Sequence, residues 1–260
     1  MTSMDALILS GGDCSPELVQ ATGKEERALI EVGERAMVVR VLEALRATTG
    51  IERIAVVGSE RVFDKCSTVS GDIVRVAAGD QMTQNFARGV GALKENSAAD
   101  AQVLVCTCDI PLVSSSTFEQ LMQSAARDNL ELAYPIVRRS VCEAAFPDGK
   151  RTYVQLRDGE FTGGNALVVP LRIVEDINAL LESAYNARKN PLGLAKLLGP
   201  GFLWKFVRRQ LSIRDVEERA RRVLDCRVGA VPMSDATIAF DVDKVSDWQQ
   251  AVQYQEKTRV

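Results

Sequence analysis

The 260-residue chain contains no histidine. That excludes Ser-His-Asp and Cys-His nucleophilic sites, imidazole acid–base catalysis and His-ligated zinc. Chemistry is left to carboxylates, Lys and Arg, hydroxyls, thiols, backbone amides or a bound metal. Four short segments hold such groups at useful places. Ser10-Gly11-Gly12 follows the apolar run Ala6–Leu9, where glycine lets backbone amides approach a phosphate or a base edge closely. Lys24 and Arg27 lie shortly after it, cations that can fold back over phosphates, the guanidinium in bidentate fashion. Asp109 ends the apolar run Val103–Cys108, at the sheet edge where open α/β folds bind ligands, and a carboxylate there suits Mg²⁺. Asp241 and Asp243 alternate beyond a run read as a strand over 236–240, which predicts that both point to one face and complete a metal site with Asp109. Each has a plainer reading: a Gly-Gly turn, a solvated loop, an aspartate capping a turn before Pro111, and an acidic helix start at Ser246-Asp247.

The elements that must position these groups are legible as apolar periodicities. Strands are expected at 6–9, 53–58, 73–77 and 103–108. They alternate with helices marked by Met37, Val38, Val41, Leu42 and Leu45, by Phe86, Val90 and Leu93, and by a start at Ser114–Ser116. Strand–helix alternation with continuous apolar strands implies a mostly parallel sheet covered on both faces, a three-layer α/β/α architecture. Further strands are expected at 132–137, 153–156, 165–169 and 228–232, with a last helix through Trp248 and Val252. Residues 171–225 read as a helical insert, interrupted at Asn190-Pro191 and Gly199-Pro200-Gly201, within one domain spanning 1–260.

Composition bounds the partners. Hydrophobic residues make up 46% and the formal charge is −3, which suits a chain with a sizeable core and argues against a general nucleic-acid binder. The six cysteines show no CxxC pair and no leader-like segment is evident, so reduced thiols in a cytoplasmic protein are expected. Cys106 and Cys108, two apart on a buried strand, read as small core residues rather than soft-metal ligands. No apolar run approaches the length of a membrane span. Lys189, Lys196, Lys205, Arg208 and Arg209, with Phe202, Trp204 and Phe206, form a basic-aromatic segment. It could clamp an anionic acceptor or touch a membrane surface. The plainer reading, an apolar face in the core and a basic face in solvent, is favoured, so no membrane partner is expected.

Leu7-Ile8-Leu9-Ser10-Gly11-Gly12, Arg27–Gly33, Cys108-Asp109-Ile110-Pro111 and Phe240–Asp247 follow one another in an order that resembles the MobA-like NTP transferase superfamily. That superfamily includes molybdenum-cofactor guanylyltransferase and sugar-phosphate nucleotidyltransferases. The likeness covers residues 5 to about 170 and 227–255. It implies a Rossmannoid, glycosyltransferase-A-like nucleotide-diphospho-sugar transferase fold with a helical insertion. It also implies nucleotidyl transfer: an NMP passes from an NTP to a sugar phosphate or cofactor phosphate, with Mg²⁺ as cofactor. By resemblance, Leu9, Ser10, Gly11, Gly12, Gly79 and Asn85 hold the nucleotide. Asp109 and Asp243 ligate the metal with Asp241 beside them, and Gly163, Gly164 and Asn165 face the acceptor. Arg27 occupies the place of the signature lysine, and Lys24 is a second cation in a loop that lacks the signature arginine. A phosphate acceptor is already ionised near neutral pH, which agrees with a chain without imidazole. A non-catalytic nucleotide or sugar-nucleotide binder is the alternative; a glycosyltransferase ranks below it, because Asp109-Ile110-Pro111 is not Asp-x-Asp. The base, the acceptor and the oligomeric state, a homodimer included, stay open.

Overall fold

The computed structural model describes residues 3–94, 98, 101–174 and 200–258. Its centre is strand β1 (Met4–Leu9), apolar but for Asp5. In chain order there follow helix α1 (Pro16–Thr22), the small hairpin β2 (Glu31–Val32) and β3 (Arg35–Ala36), α2 (Met37–Arg46), β4 (Ile51–Gly58) and α3 (Glu60–Cys66). Next come β5 (Val74–Ala77), α4 (Met82–Lys94), β6 (Gln102–Thr107), α5 (Ser115–Arg127), β7 (Leu132–Arg138) and α6 (Arg139–Ala145). Strands β8 (Val154–Leu156), β9 (Gly159–Gly163), β10 (Ala166–Pro170) and β11 (Val228–Met233) complete the main sheet.

That sheet runs β5-β4-β1-β6-β10-β7-β9-β8, with β11 pairing β7. β5, β4, β1 and β6 are mutually parallel; β10 is antiparallel to both β6 and β7, and β11 is parallel to β7. The sheet is therefore mixed, and helices cover both faces. Along β1, Ala6 and Ile8 point into a core shared with α2 and α5, including Leu42 and Phe118. Leu7, between them, points into a second core with Phe86, Val90 and Leu93 of α4. Alternation on a doubly covered strand makes Ala6–Leu9 apolar at every position, which is why that part of β1 reads as a continuous run. Gly89 lets α4 lie close: a Cβ there would stand 2.9 Å from Val57 Cγ2.

Two readings are corrected. The run expected as a strand at 236–240 is a 3₁₀ turn, Ala236–Ala239. Asp235 caps it by accepting the Thr237 N–H, and the Phe240 N–H closes on the Thr237 carbonyl, so local hydrogen bonds override the β-branched composition. In the helical stretch, Leu171–Ile173 is a short 3₁₀ turn and Pro200–Val207 and Ile213–Leu224 are helices, as expected. Lys189, Asn190-Pro191, Lys196 and Gly199 lie outside the described residues. The apolar side of the first of these helices does not enter the core as expected. Among its described side chains, Phe202 packs inward, against Ile136, Leu156, Phe161 and Leu211, while Trp204, Phe206 and Val207 are exposed. Among the described residues, no helix is long and apolar enough to cross a membrane. All six cysteines are free, and burial holds the Cys106 and Cys108 thiols protonated, as expected of core residues.

Candidate active site

The site lies at the carboxyl edge of the parallel strands. Register places Leu9 beside both Val57 and Thr107, so β1, β4 and β6 end level. The Ser10 N–H bonds the Val57 carbonyl and the Cys108 N–H bonds the Leu9 carbonyl, locking the exits of the strands together. Past Leu9, Ser10 is buried and Gly11 and Gly12 are exposed. Gly12 has φ +141°, a backbone setting open to glycine. Helix α1 then reverses the chain: Ser15 caps it, Pro16 starts it, and Gly23 in the left-handed region ends it. The return strand bonds back, Cys14 N–H to Glu25 O at 2.7 Å and Arg27 N–H to Gly12 O at 3.1 Å. This doubled loop, not sequence proximity, brings Arg27 to the glycines.

Arg27 closes a cluster assembled from three distant segments. Its Nη1 lies 3.3 Å from Asp109 Oδ2 and 2.5 Å from Asp243 Oδ1. Thr107 donates its hydroxyl to Asp109 Oδ1 at 2.5 Å. The loop after the 3₁₀ turn is pinned by the Val242 N–H on the Asp109 carbonyl at 2.9 Å. Val242 is fully buried, so the flanking Asp241 and Asp243 turn outward together. The two acids thus converge as expected, but from a loop anchored by Val242 and not from a strand. Asp241 is already engaged: its Oδ1 accepts from Arg151 at 2.7 Å and from Asn165 Nδ2 at 3.4 Å.

The electrostatics follow from this crowding. Burial raises the Asp109 pKa; the Asp241 charge adds to the rise, and the Thr107 and Arg27 hydrogen bonds oppose it. Asp243 is pushed up to about 6, first by burial and then by Asp241, with Arg27 opposing. For Arg27, burial disfavours the charge, but Asp243 and Asp109 outweigh it and the guanidinium is held more firmly ionised than usual. The arrangement is a pair of strained carboxylates sharing one cation.

Among the described residues, no group of three or more acidic or thiol side chains forms a metal cage. Mg²⁺ does not require one, since it binds through one or two carboxylates and takes substrate phosphates for the rest. Asp109 and Asp243, facing one point now held by Arg27 Nη1, fit that donor set. The buried Ser10 hydroxyl and Arg27 Nε lack hydrogen-bond partners, so polar groups with spare capacity flank the glycine loop.

The other expected residues separate into those brought to the site and those held elsewhere. Asn85 is buried and bonds both faces of the Gly79 peptide, accepting from its N–H at 2.6 Å and donating to its carbonyl at 3.2 Å. Gly79 reaches the sheet edge through Ala78, whose N–H bonds the Gly58 carbonyl. A Cβ on Gly11 would stand 2.6 Å from Asn85 Nδ2, so Gly11, Gly79 and Asn85 form one cradle. Lys24 instead pairs with Glu31 at 3.4 Å, and no contact with the carboxylates is seen. Gly163 and Asn165 line a cavity of about 340 Å³ beside Asp241 and Asp243. Gly164 supports it from behind, its N–H on the Pro135 carbonyl. Sequence reasoning missed Thr107, and it missed the cationic lining of the cavity, Lys150, Arg151 and Lys244. Arg151 also stacks on the Phe240 ring at 5.0 Å. Thr107 was accessible as the hydroxyl two residues before Asp109, and Lys244 as the neighbour of Asp243 within Phe240–Asp247; Lys150 and Arg151 left no local signal.

The MobA-like NTP transferase domain family matches residues 6–192. Among solved structures, a hypothetical transferase from Thermus thermophilus is 31% identical, with a TM-score of 0.79 over 95% of this chain and 100% of that one. CMP:2-keto-3-deoxy-manno-octonic acid synthetase complexed with CTP aligns at 14% identity and TM-score 0.61, over 98% of this chain and 100% of that one. 4-Diphosphocytidyl-2C-methyl-D-erythritol synthase from Anaerococcus prevotii aligns at 14% identity and TM-score 0.59, over 98% and 96%. These last two establish the nucleotide-diphospho-sugar transferase fold. No curated protein sequence matches the chain.

Proposed function

The chain belongs to the MobA-like NTP transferase domain family, and from that premise we propose that it transfers an NMP from an NTP to a phosphorylated small-molecule acceptor, releasing pyrophosphate. One observation carries the reading: Asp109, from the middle of the chain, and Asp243, from near its end, meet on Arg27 directly beside the glycine loop. In the reaction an acceptor phosphate oxygen attacks the α-phosphorus, the bond from that phosphorus to the bridging oxygen breaks, and pyrophosphate departs with the electron pair. The protein need only align the partners and balance charge. Leu9, Ser10, Gly11 and Gly12, with the Gly79–Asn85 cradle, hold the nucleotide, the Ser10 hydroxyl having hydrogen-bonding capacity to spare. Mg²⁺ held by Asp109 and Asp243 would neutralise phosphate charge at the reacting centre. Arg27 turns to the departing pyrophosphate, with Lys24 at the rim where phosphate competes with Glu31 for its ammonium. Gly163, Asn165 and Arg151 bound the acceptor cavity, and Gly164 sets their backbone. Asp241 orients Arg151 and stands outside the metal's ligand set. The requirement for free NTP supports a cytoplasmic setting for this reaction.

The closure of Arg27 over both carboxylates favours a second reading, a binder in which that latch never opens. Pyrophosphate release separates the two. With Mg²⁺, each of the four NTPs and a panel of sugar and cofactor phosphates, one pairing should release pyrophosphate. Nucleotide binding by calorimetry with no release across the panel would support the binder.

A further inference from the structure

We propose that the exposed face of helix Pro200–Val207 docks the protein on an anionic lipid bilayer surface. The inference is independent of the chemistry above and rests on three observations. First, Trp204, Phe206 and Val207 are 59%, 51% and 75% exposed, a concentration of bare apolar surface within four residues. Soluble surfaces carry single exposed apolar residues freely, but clustered ones mark an interaction. Second, the face is organised. Trp204, Val207 and Arg208 follow i, i+3, i+4 spacing and so share one side, opposite Phe202, which anchors the helix to Ile136, Leu156, Phe161 and Leu211. The Arg208 guanidinium lies over the Trp204 ring at 4.2 Å, setting a cation at the rim of the apolar patch. Third, the charge is one-sided. From Pro200 to Arg214 the chain has four Lys or Arg and no Asp or Glu, in a protein of net charge −3. Lys205 is neutralised by Asp215, 2.6 Å away, and Arg214 by Glu218, 2.9 Å away, which leaves Arg208 and Arg209 as the cations of the face. Among the described residues, Arg208 and Arg209 have no acidic partner within ion-pair distance.

Trp204 and Val207, with Arg208 on the flank, match the depth profile of a bilayer interface: the indole at the headgroup boundary and the cation among phosphates, with Phe206 round the helix at the edge of the face. An eight-residue helix is only about 12 Å long, so it lies on the surface and does not span it. A second copy is a poorer occupant. A two-fold contact would set Arg208 and Arg209 against the same cations of the copy. Three side chains also fall well short of the roughly 800 Å² per partner that a stable dimer buries.

The test is co-sedimentation of the whole chain with vesicles of phosphatidylcholine, alone or with about a third phosphatidylglycerol. Wild type should pellet with the anionic vesicles, remain in solution with neutral ones, and be released by about 0.5 M salt. Arg208→Glu changes two charges and should weaken partitioning about thirtyfold; Trp204→Glu should abolish it. Both sites are exposed, so each variant should unfold at the wild-type temperature. In unmodified protein, acyl chains brominated near the interface should quench Trp204 fluorescence, which needs no variant. The proposal is overturned if wild type stays in solution with anionic vesicles, or if both variants bind as wild type does. It is equally overturned if sedimentation equilibrium finds a dimer that Trp204→Glu dissolves while no vesicle is bound.

Discussion

Replacing Arg27 with methionine removes the one cation that Asp109 and Asp243 share, and the size of the effect can be worked from their exposures. Asp109 is 15% exposed and Arg27 30%, so their 3.3 Å contact is largely shielded from water. Stripping the partner from a buried carboxylate costs about 2–3 kcal/mol. Asp243 is 49% exposed, and its 2.5 Å contact is screened, contributing about 1 kcal/mol at most. The expected loss is about 2–4 kcal/mol, or roughly 5–12 °C in unfolding temperature for a chain of this size. The sign with pH is fixed. The loss is largest at high pH, where the carboxylates carry the charge that Arg27 compensates. Without Arg27, which lowers its pKa, Asp243 takes up a proton at a pH above the wild-type value of about 6, so the penalty shrinks as pH falls toward 6. Millimolar Mg²⁺ should restore part of the lost stability in Arg27→Met and raise wild type less, because the ion then takes the place the guanidinium held. Thermal denaturation at pH 5, 6, 7 and 8, with and without Mg²⁺, measures all of this. An unfolding temperature unchanged at pH 8 would refute the claim that Arg27 compensates the two acids.

Three further outcomes are expected. Gly11→Ala drives a Cβ against Asn85 Nδ2 and breaks its hold on Gly79; urea denaturation should lose about 1–2 kcal/mol and NTP binding by calorimetry should weaken, whereas an unchanged midpoint and affinity would show that the cradle is slack. Because the raised pKa of Asp243 makes Mg²⁺ compete with a proton, apparent Mg²⁺ affinity should rise up to about tenfold per pH unit toward pH 6 and then level; in Asp243→Asn calorimetry should find that dependence flattened. Arg151→Met should raise the acceptor KM about tenfold to a hundredfold and leave the NTP KM in place; equal rises in both would remove Arg151 from the acceptor side.

The fold was legible where one physical demand dominates. Runs such as Ala6–Leu9 and Val103–Cys106 are apolar at every position because both sheet faces are covered, and the strand ends placed Gly11 and Asp109 at one edge. Residues 236–240 were misread because Thr-Ile-Ala-Phe carries the same composition in a strand or in a buried turn. Only the Asp235 cap distinguishes them, and it is a single side chain. Helix α1 went unread although its signals are present, with Ser15 as cap, Pro16 at the first position and Gly23 as stop. The glycines before it drew the segment into the phosphate loop. The partners of Lys24, Arg27 and Arg151 were beyond the sequence, since each is a tertiary distance. Lys24 and Arg27 are three residues apart, yet the 3₁₀ turn starting at Arg27 sends one to Glu31 and the other to Asp109. Arg151 follows Gly149-Lys150, which reads as any solvated turn, and it becomes informative only when Asp241 arrives 2.7 Å away from the far end of the chain.

The central claim is that Asp109 acts at the reacting phosphate and not as a structural cap on β6. Pyrophosphate release by Asp109→Asn, which keeps the Thr107–Arg27 surroundings without the charge, tests it most directly in the presence of Mg²⁺, the productive NTP and its acceptor. The account predicts release reduced at least about a hundredfold, with NTP still bound. Release at the wild-type rate would contradict it.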